Sequence, residues 1–243
     1  MQNNRWHAFL HALLLGSALL TAATVGAEQP VSPYAQVSRS ADGIGKTYMG
    51  REIAGVMGWE GAQWLERRSR AREERPDLLL QALAIAPGMT VADVGAGTGY
   101  YTWQLAQRVG AAGRVYAVDV QPEMIALLGR QMQQRGVTNV VSVLGSERDT
   151  RLPAASIDLA IMVDVYHELA YPSEVMDSLV RSMKPGGRIV FVEYRAEDPA
   201  VEIKSLHKMS EAQVRREANA HGLTWERTIT ALPIQHVIVF RKP

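Results

Sequence analysis

Hydrophobic positions fall into three patterns along the chain. Residues 8–27 form an almost unbroken apolar run. Between residues 64 and 83 apolar side chains recur at helical spacing: Trp64 and Leu65 with Arg68, then Leu78, Leu79, Leu80, Ala82 and Leu83, ending before Pro87-Gly88. From Thr90 onward, short β-branched runs alternate with amphipathic segments. The runs predict strands at Thr90–Val94, Arg114–Val118, Val140–Leu144, Leu159–Val163, Arg188–Val192, Thr224–Ile229 and His236–Phe240. The intervening segments predict helices at Tyr100–Val109, Pro122–Arg135, Ser173–Met183 and Ser210–His221. Pro122 suits a first helical turn, and Ser210 with Gln213 suits a capping box. Such alternation implies a parallel sheet covered on both faces. A short connection holding Pro233 joins the last two strands, so these pair antiparallel. The expected fold is α/β, a three-layer sandwich.

The apolar run near the N-terminus reads as a leader. Arg5 and His7 precede it, and Val25-Gly26-Ala27 before Glu28 gives the small-residue pattern of a signal-peptidase site. His11 and the short apolar core argue against a stable transmembrane helix. The expected division is a leader at 1–27, a linker and helical lid segment at 28–75, and a main domain at 76–243. The mature protein is then periplasmic or secreted, without stable membrane insertion. Glu28 to Ser40 has no period and reads as linker. The charged run Glu66 to Arg75 reads as a solvated helix face. Tyr48, Trp59 and Trp64 are candidates for a lid or for ordinary core.

Composition narrows the chemistry. Lys and Arg number 26 against 25 Asp and Glu, so the net charge of +1 offers no electrostatic reason for a nucleic-acid partner. Cysteine is absent, which excludes disulfides, thiolate metal sites and cysteine nucleophiles.

The stretch "VADVGAGTGYYTWQLA", Val91 to Ala106, has the order strand, glycine loop, helix. Ligands sit at such loops, outside the carboxyl edge of a parallel sheet. Gly95, Gly97 and Gly99 give the backbone freedom to turn and a ligand room to approach, and a helix beginning near Thr98 offers free N–H groups. Dinucleotide binders prefer G-x-G-x-x-G around a pyrophosphate. Here the pattern is G-x-G-x-G, position 100 is tyrosine, and Asp93 precedes the loop. That carboxylate would repel a pyrophosphate but suit a cationic amino group, which disfavours a dinucleotide oxidoreductase. Asp119 ends the second strand about twenty residues on, where a carboxylate accepts both ribose hydroxyls of a nucleoside. A nucleoside with an amino-acid tail and no phosphate satisfies both acids, and S-adenosylmethionine is such a molecule.

Val91–Gly99, Val115–Asp119, "LPAASIDLAIMVDVYHEL" and "MKPGGRIVFVEY" resemble, in order, the motifs of class I S-adenosylmethionine-dependent methyltransferases, nearest the ubiquinone/menaquinone-biosynthesis type. "YMGREIAGVMGWEGAQWLER" is similar to the lead-in of an exported bacterial subgroup. The resemblance implies a Rossmann-like, seven-stranded sheet with the last strand antiparallel. It places Gly95, Gly97 and Gly99, with Ala96, along the methionine portion, Asp93 at its amino group, and Asp119 with Val120 at the ribose. Many relatives carry Gly-Asp after the third strand, the acid reaching adenine. Here Gly145 is followed by Ser146, with Glu147 and Asp149 nearby, so either acid or the backbone alone serves that contact.

Methyl transfer is an in-line displacement that needs alignment, exclusion of water and, where necessary, a base. It does not inherently require a metal, and none is expected. "MVDVYHEL" ends the fourth strand beside the expected methyl group. Asp164 is a candidate to orient the substrate or the methionine amine, Tyr166 to pack on the cofactor, and His167 to act as base. A structural role for His167, capping or packing the next helix, stands beside the catalytic one. Glu168 lacks a second ligand at metal-binding spacing. Glu193, Tyr194 and Arg195 are secondary candidates for the acceptor pocket, and His207 reads as a local loop residue. The absence of N-P-P-Y or D-P-P-Y after the fourth strand disfavours nucleic-acid bases, leaving a small-molecule acceptor. An exported protein that binds the nucleoside without turnover is the alternative of another class.

Overall fold

The computed structural model describes residues 32–243; the leader expected at 1–27 lies outside them. The first described elements differ from the expected linker. Strands β1 (Tyr34–Gln36), β2 (Gly43–Tyr48) and β3 (Arg51–Ala54) make a small antiparallel sheet. Tyr48 pairs with Arg51 across a two-residue turn in which Met49 and Gly50 both have positive φ, 47° and 89°. This is the handedness that matches strand twist, and glycine at the second position permits it. Tyr48, Ile53 and Ala54 are buried, so Tyr48 belongs to the core.

Short helices α1 (Ala62–Leu65), α2 (Arg70–Glu74) and α3 (Pro76–Ala82) follow. Arg75, at φ 51°, separates α2 from α3, and Pro76 opens α3 where its missing N–H costs nothing. Residues Pro33–Pro243 cluster as one unit. A buried ion pair from Arg51 to Glu217, at 2.9 and 3.0 Å, joins β3 to the helix preceding the last strands.

The main sheet contains β4 (Thr90–Val94), β5 (Arg114–Asp119), β6 (Val140–Leu144), β7 (Ile157–Val163), β8 (Met183–Arg195), β9 (Lys208–Met209), β10 (Thr224–Ile229) and β11 (Gln235–Arg241). Its order is β6-β5-β4-β7-β8-β11-β10, with the two-residue β9 beside the end of β8. Pairs among β4 to β8 are parallel, and β11 runs antiparallel to both β8 and β10. This is the expected three-layer sandwich, Rossmann-like, with seven strands in the main path.

Alternation along the strands divides the core. Val91, Val115, Leu159, Ile161 and Val190 face α3 and helix α4 (Thr102–Val109). Ala92, Ala160, Met162, Phe191 and Ile238 face helices α6 (Pro172–Ser182) and α7 (Glu211–Asn219). Helix α5 (Pro122–Gln134) packs Leu128 and Met132 against Ala117. The Ser210 hydroxyl accepts the Gln213 amide at 3.1 Å and caps α7. Strand β4 pairs with β5 on one side and β7 on the other, so the strand order reverses there, which opens a crevice at the carboxyl edge.

Candidate active site

A cleft of about 1130 Å³ occupies that crevice. Asp93, Gly95, Ala96 and Gly97 line it from the end of β4, and Asp119 and Val120 from β5. Ser146 and Glu147 line it after β6, and Asp164 and His167 after β7. Two expected residues do not reach it. Gly99 has φ 89°, and a Cβ there would lie 2.9 Å from Met132 and 3.1 Å from Leu128. Its role is close packing of the loop on α5. Tyr166 is fully buried on the opposite side of the chain, its ring edge-on to Phe191 at 4.8 Å. Of this neighbouring pair, His167 lines the cleft and Tyr166 packs in the core.

The glycine loop is locked to β5. Carbonyl Val118 accepts the amides of Gly95 and Ala96 at 2.8 and 2.9 Å. Asp119 accepts the Gly97 amide at 2.9 Å on one oxygen and the Gln121 amide at 2.9 Å on the other. Helix α4 starts at Thr102, later than the sequence suggested. These loop amides are therefore committed within the protein, and the loop offers a surface more than a set of phosphate donors. At Gly97 an added Cβ would meet only the tip of Leu65, at 2.7 Å, whereas at Gly95 it would meet Val165 at 2.5 Å. Gly97 thus faces the flexible end of one side chain at the cleft, and Gly95 the branched body of another.

Asp93 is buried and accepts the Thr102 hydroxyl at 2.6 Å. Burial pushes its carboxyl up to about 6, against the pull of Thr102 and of the Arg70 guanidinium. A cationic ligand would restore the charge that burial disfavours. Burial also raises Asp119, partly offset by the amides it accepts. Both carboxylates fit the amino and ribose ends of S-adenosylmethionine, and Gly97, which also lines the cleft, lies between them in sequence. Of the acids near Ser146, Glu147 lines the cleft, while Asp149 turns to Ser178 at 2.8 Å and to the Arg151 amide at 2.7 Å.

Asp164 adopts φ 54°, a left-handed conformation uncommon outside glycine. One of its oxygens accepts from Gln235 at 2.7 Å, and the other is buried without a partner. Burial, with Glu74 and Glu193 nearby, raises its carboxyl well above the ordinary range. Glu74 comes from the charged run, which is not the solvated face expected. Arg67 and Arg70 each hold Glu74 at 2.8 Å, and Arg70 and Glu74 are buried along the cleft. Trp64 and Leu65 also line the cleft, Trp64 with much of its ring exposed; Trp59 is exposed too, does not line the cleft, and donates its amide to Gln121.

His167 has the orienting partner that sequence alone did not reveal. Its Nδ1 lies 2.5 Å from Glu193 Oε2, and the Tyr166 amide donates to Glu193 Oε1 at 3.0 Å. A carboxylate accepts, so Nδ1 carries the hydrogen and Nε2 is the ring nitrogen on the side away from Glu193. Nε2 meets His207 Nδ1 at 3.2 Å. Sequence reasoning placed His207 as local to its loop, but the pairing of β9 with β8 brings it across. Arg195, in contrast, turns to the carbonyls of Leu232 and Gln235, each at 2.9 Å.

Comparison with known proteins agrees with this geometry. A family described as a methyltransferase domain matches residues 85–232, more than half of the chain. The chain belongs to that family, the class I S-adenosylmethionine-dependent methyltransferases. An arsenite methyltransferase of Halobacterium salinarum is 34% identical over 106 residues, 44% of this chain and 27% of that protein. A ubiquinone/menaquinone biosynthesis C-methyltransferase of Idiomarina loihiensis is 29% identical over 108 residues, 44% of this chain and 43% of that protein. The chain thus spans less than half the length of these curated relatives. The crystal structure of a SAM-dependent methyltransferase from Aquifex aeolicus superposes with a TM-score of 0.73 at 26% identity, covering 77% of this chain and all of that one.

Proposed function

We propose that the protein transfers the methyl group of S-adenosylmethionine to a small-molecule acceptor. The observation that carries this reading is the placement of Asp93 and Asp119 on either side of the glycine loop in one cleft. The cleft volume of about 1130 Å³ exceeds the roughly 300–1,000 Å³ usual for one small ligand, which supports a cofactor and an acceptor side by side. The relatives' names include arsenite methylation and ubiquinone/menaquinone biosynthesis, so family membership leaves the acceptor class to this chain's own pocket.

Bound S-adenosylmethionine supplies an electrophilic methyl group on a sulfonium. Asp93 holds its amino group, Asp119 its ribose, and Glu147 with Ser146 borders the adenine end. His167 takes the acceptor's proton at Nε2, while Glu193 keeps the hydrogen on Nδ1 and stabilises the charged ring. Trp64 and Leu65 cover the cleft against water. Export is part of the proposal: Arg5, the apolar run and Val25-Gly26-Ala27 support cleavage before Glu28 and a periplasmic or secreted product. Among the described residues no helix is long and apolar enough to cross a membrane.

Calorimetric titration with S-adenosylmethionine, S-adenosylhomocysteine and NAD tests the cofactor, followed by a screen of small phenols, quinones and amines for release of S-adenosylhomocysteine. Saturable binding of the two adenosyl ligands with turnover of one acceptor is expected. Binding of NAD alone overturns the reading, and binding without turnover of any acceptor points to a ligand-binding protein.

A further inference from the structure

Three basic atoms converge on one point of the cleft wall. His167 Nε2 lies 3.2 Å from His207 Nδ1, His207 Nδ1 lies 3.3 Å from Glu168 Oε1, and Glu168 Oε1 lies 3.8 Å from His167 Nε2. Three ligands bound to one zinc ion at about 2.0–2.2 Å in tetrahedral geometry stand roughly 3.3–3.6 Å apart. The side chains already hold nearly that spacing. We propose that His167 Nε2, Glu168 Oε1 and His207 Nδ1 form a site for one divalent transition-metal ion of the zinc class, with its fourth position open to the cleft.

Ring orientation supports the site: Glu193 takes Nδ1 of His167, which turns Nε2 toward His207 Nδ1 and Glu168 Oε1. A cation would accept lone pairs from all three atoms at once. The supports behind the ligands are those of a metal centre. The carboxylate of Glu193 orients His167 from behind, and the Met57 amide holds the other oxygen of Glu168 at 3.3 Å. All three ligand residues line the cleft, which gives an ion a path in and leaves a face for a bound acceptor. Two imidazoles and one carboxylate, without thiolate, suit zinc, cobalt or iron(II) better than magnesium or calcium, which prefer all-oxygen shells.

The site lies in the acceptor end of the cleft and so rests on that reading for its use. An ion and a proton compete for the same Nε2 lone pair, so His167 serves as base only in the metal-free protein. In the loaded protein the ion would instead bind the acceptor's donor atom and lower its proton affinity.

The test uses the full chain, stripped with a chelator and then equilibrated with zinc(II) or cobalt(II), without cofactor or acceptor. One ion per chain is expected, with cobalt giving a visible ligand-field spectrum. His207→Ala and Glu168→Gln should each weaken binding at least tenfold, and Glu193→Gln about 10–100-fold. His221→Ala, a histidine outside the cluster, should leave affinity unchanged. Circular dichroism checks that each variant folds; should His207→Ala unfold, His207→Gln takes its place. No stoichiometric uptake by the folded wild type overturns the proposal. So does uptake that is unchanged in the cluster variants, which would place the ion elsewhere. Because neither cofactor nor acceptor is present, these outcomes leave the methyl-transfer reading standing or falling on its own test.

Discussion

Glu193 grips His167 from behind: Oε2 lies 2.5 Å from Nδ1, while Oε1 accepts the Tyr166 amide at 3.0 Å. One buried carboxylate thereby fixes both the ring and the backbone turn that carries it. Burial lowers the basicity of His167, but the charge and hydrogen bond of Glu193 outweigh it, so the imidazole is raised above its ordinary value. In chelator-treated protein with a turned-over acceptor, the rate should rise with pH through this raised titration. His167→Ala should lower the chemical step by about 10²–10⁴-fold. Glu193→Gln should lower the maximal rate and move the limb to lower pH, since the charge that raises the imidazole is gone. Unchanged pH–rate profiles in both variants would remove His167 from the proton path.

Asp119 serves two partners at once, which makes its removal more costly than the loss of a ribose contact. Its oxygens accept the amides of Gly97 and Gln121. Asp119→Ala should weaken S-adenosylhomocysteine binding by about 1.5–3 kcal/mol per lost charged hydrogen bond. Loosening of the glycine loop should add to that loss and show as faster amide exchange at Gly95 to Gly97. Calorimetry of unchanged affinity would mean that the nucleoside lies elsewhere in the cleft.

The three loop glycines should separate by phenotype. Gly95→Ala forces a Cβ to within 2.5 Å of Val165 and keeps φ near 74°, so thermal stability should fall. Gly97→Val, at φ 54° and against the flexible tip of Leu65, should cost some stability but should above all abolish cofactor binding, because its side chain enters the cleft. Gly99→Ala presses on Met132 and Leu128 and should destabilise without entering the cleft. Thermal melts set beside binding titrations read the difference. Equal loss of binding and stability in all three would erase the distinction drawn from their surroundings.

These contrasts show what local sequence can carry. Asp93, the glycine loop and Asp119 lie on consecutive strand ends, so spacing alone brought them to one edge. Alternating apolar runs likewise located the main-sheet strands. Gly99 shares the loop's spacing but faces α5, and Tyr166 adjoins His167 but faces the core; side-chain direction at turns has no period to read. His207 was illegible for another reason. It meets His167 from 40 residues away, through the two-residue strand β9 pairing parallel with the end of β8. The hairpin of β2 and β3 left a faint mark, the glycine of Met49-Gly50, in a stretch otherwise short of apolar alternation. The charged run Glu66 to Arg75 misled because its opposite signs pair inward, on Glu74, instead of toward water.

The N-terminal sheet is tied to the main fold by Arg51 and Glu217. Glu217 is fully buried and receives two nitrogens of Arg51, whose third contact is the His167 carbonyl at 3.2 Å. Glu217→Ala would leave the guanidinium buried with that one neutral acceptor. Urea denaturation should show a loss of about 3–5 kcal/mol, the range for breaking a buried pair from one side. The loss should reach the acceptor end of the cleft, because Arg51 also steadies the turn holding His167. A change below about 0.5 kcal/mol, typical of surface substitutions, would count against the pair as an anchor.

Asp93 sets an acid limit on cofactor binding, and its sign can be worked out. Burial raises the folded carboxyl to about 6 from its ordinary 3.8, with Asp119 adding to the rise and Thr102 and Arg70 opposing it. In the absence of ligand the raised value favours the protonated native state. The stability this group contributes is therefore full below its ordinary value and is lost as pH rises through about 6. Cofactor binding runs the other way, since a cationic amino group needs the ionised carboxylate. Affinity should be flat above the folded value and fall below it, by at most about tenfold per pH unit for one proton. Titration near pH 5 should also take up the cofactor with release of a proton from Asp93, seen as a dependence of the apparent enthalpy on buffer ionisation. Asp93→Asn should remove the pH dependence, lower affinity at neutral pH and raise the stability of the ligand-free protein there. Calorimetry between about pH 5 and pH 8 in two buffers measures all three. A wild-type affinity that does not vary across that range would show that Asp93 does not hold the charged end of the ligand.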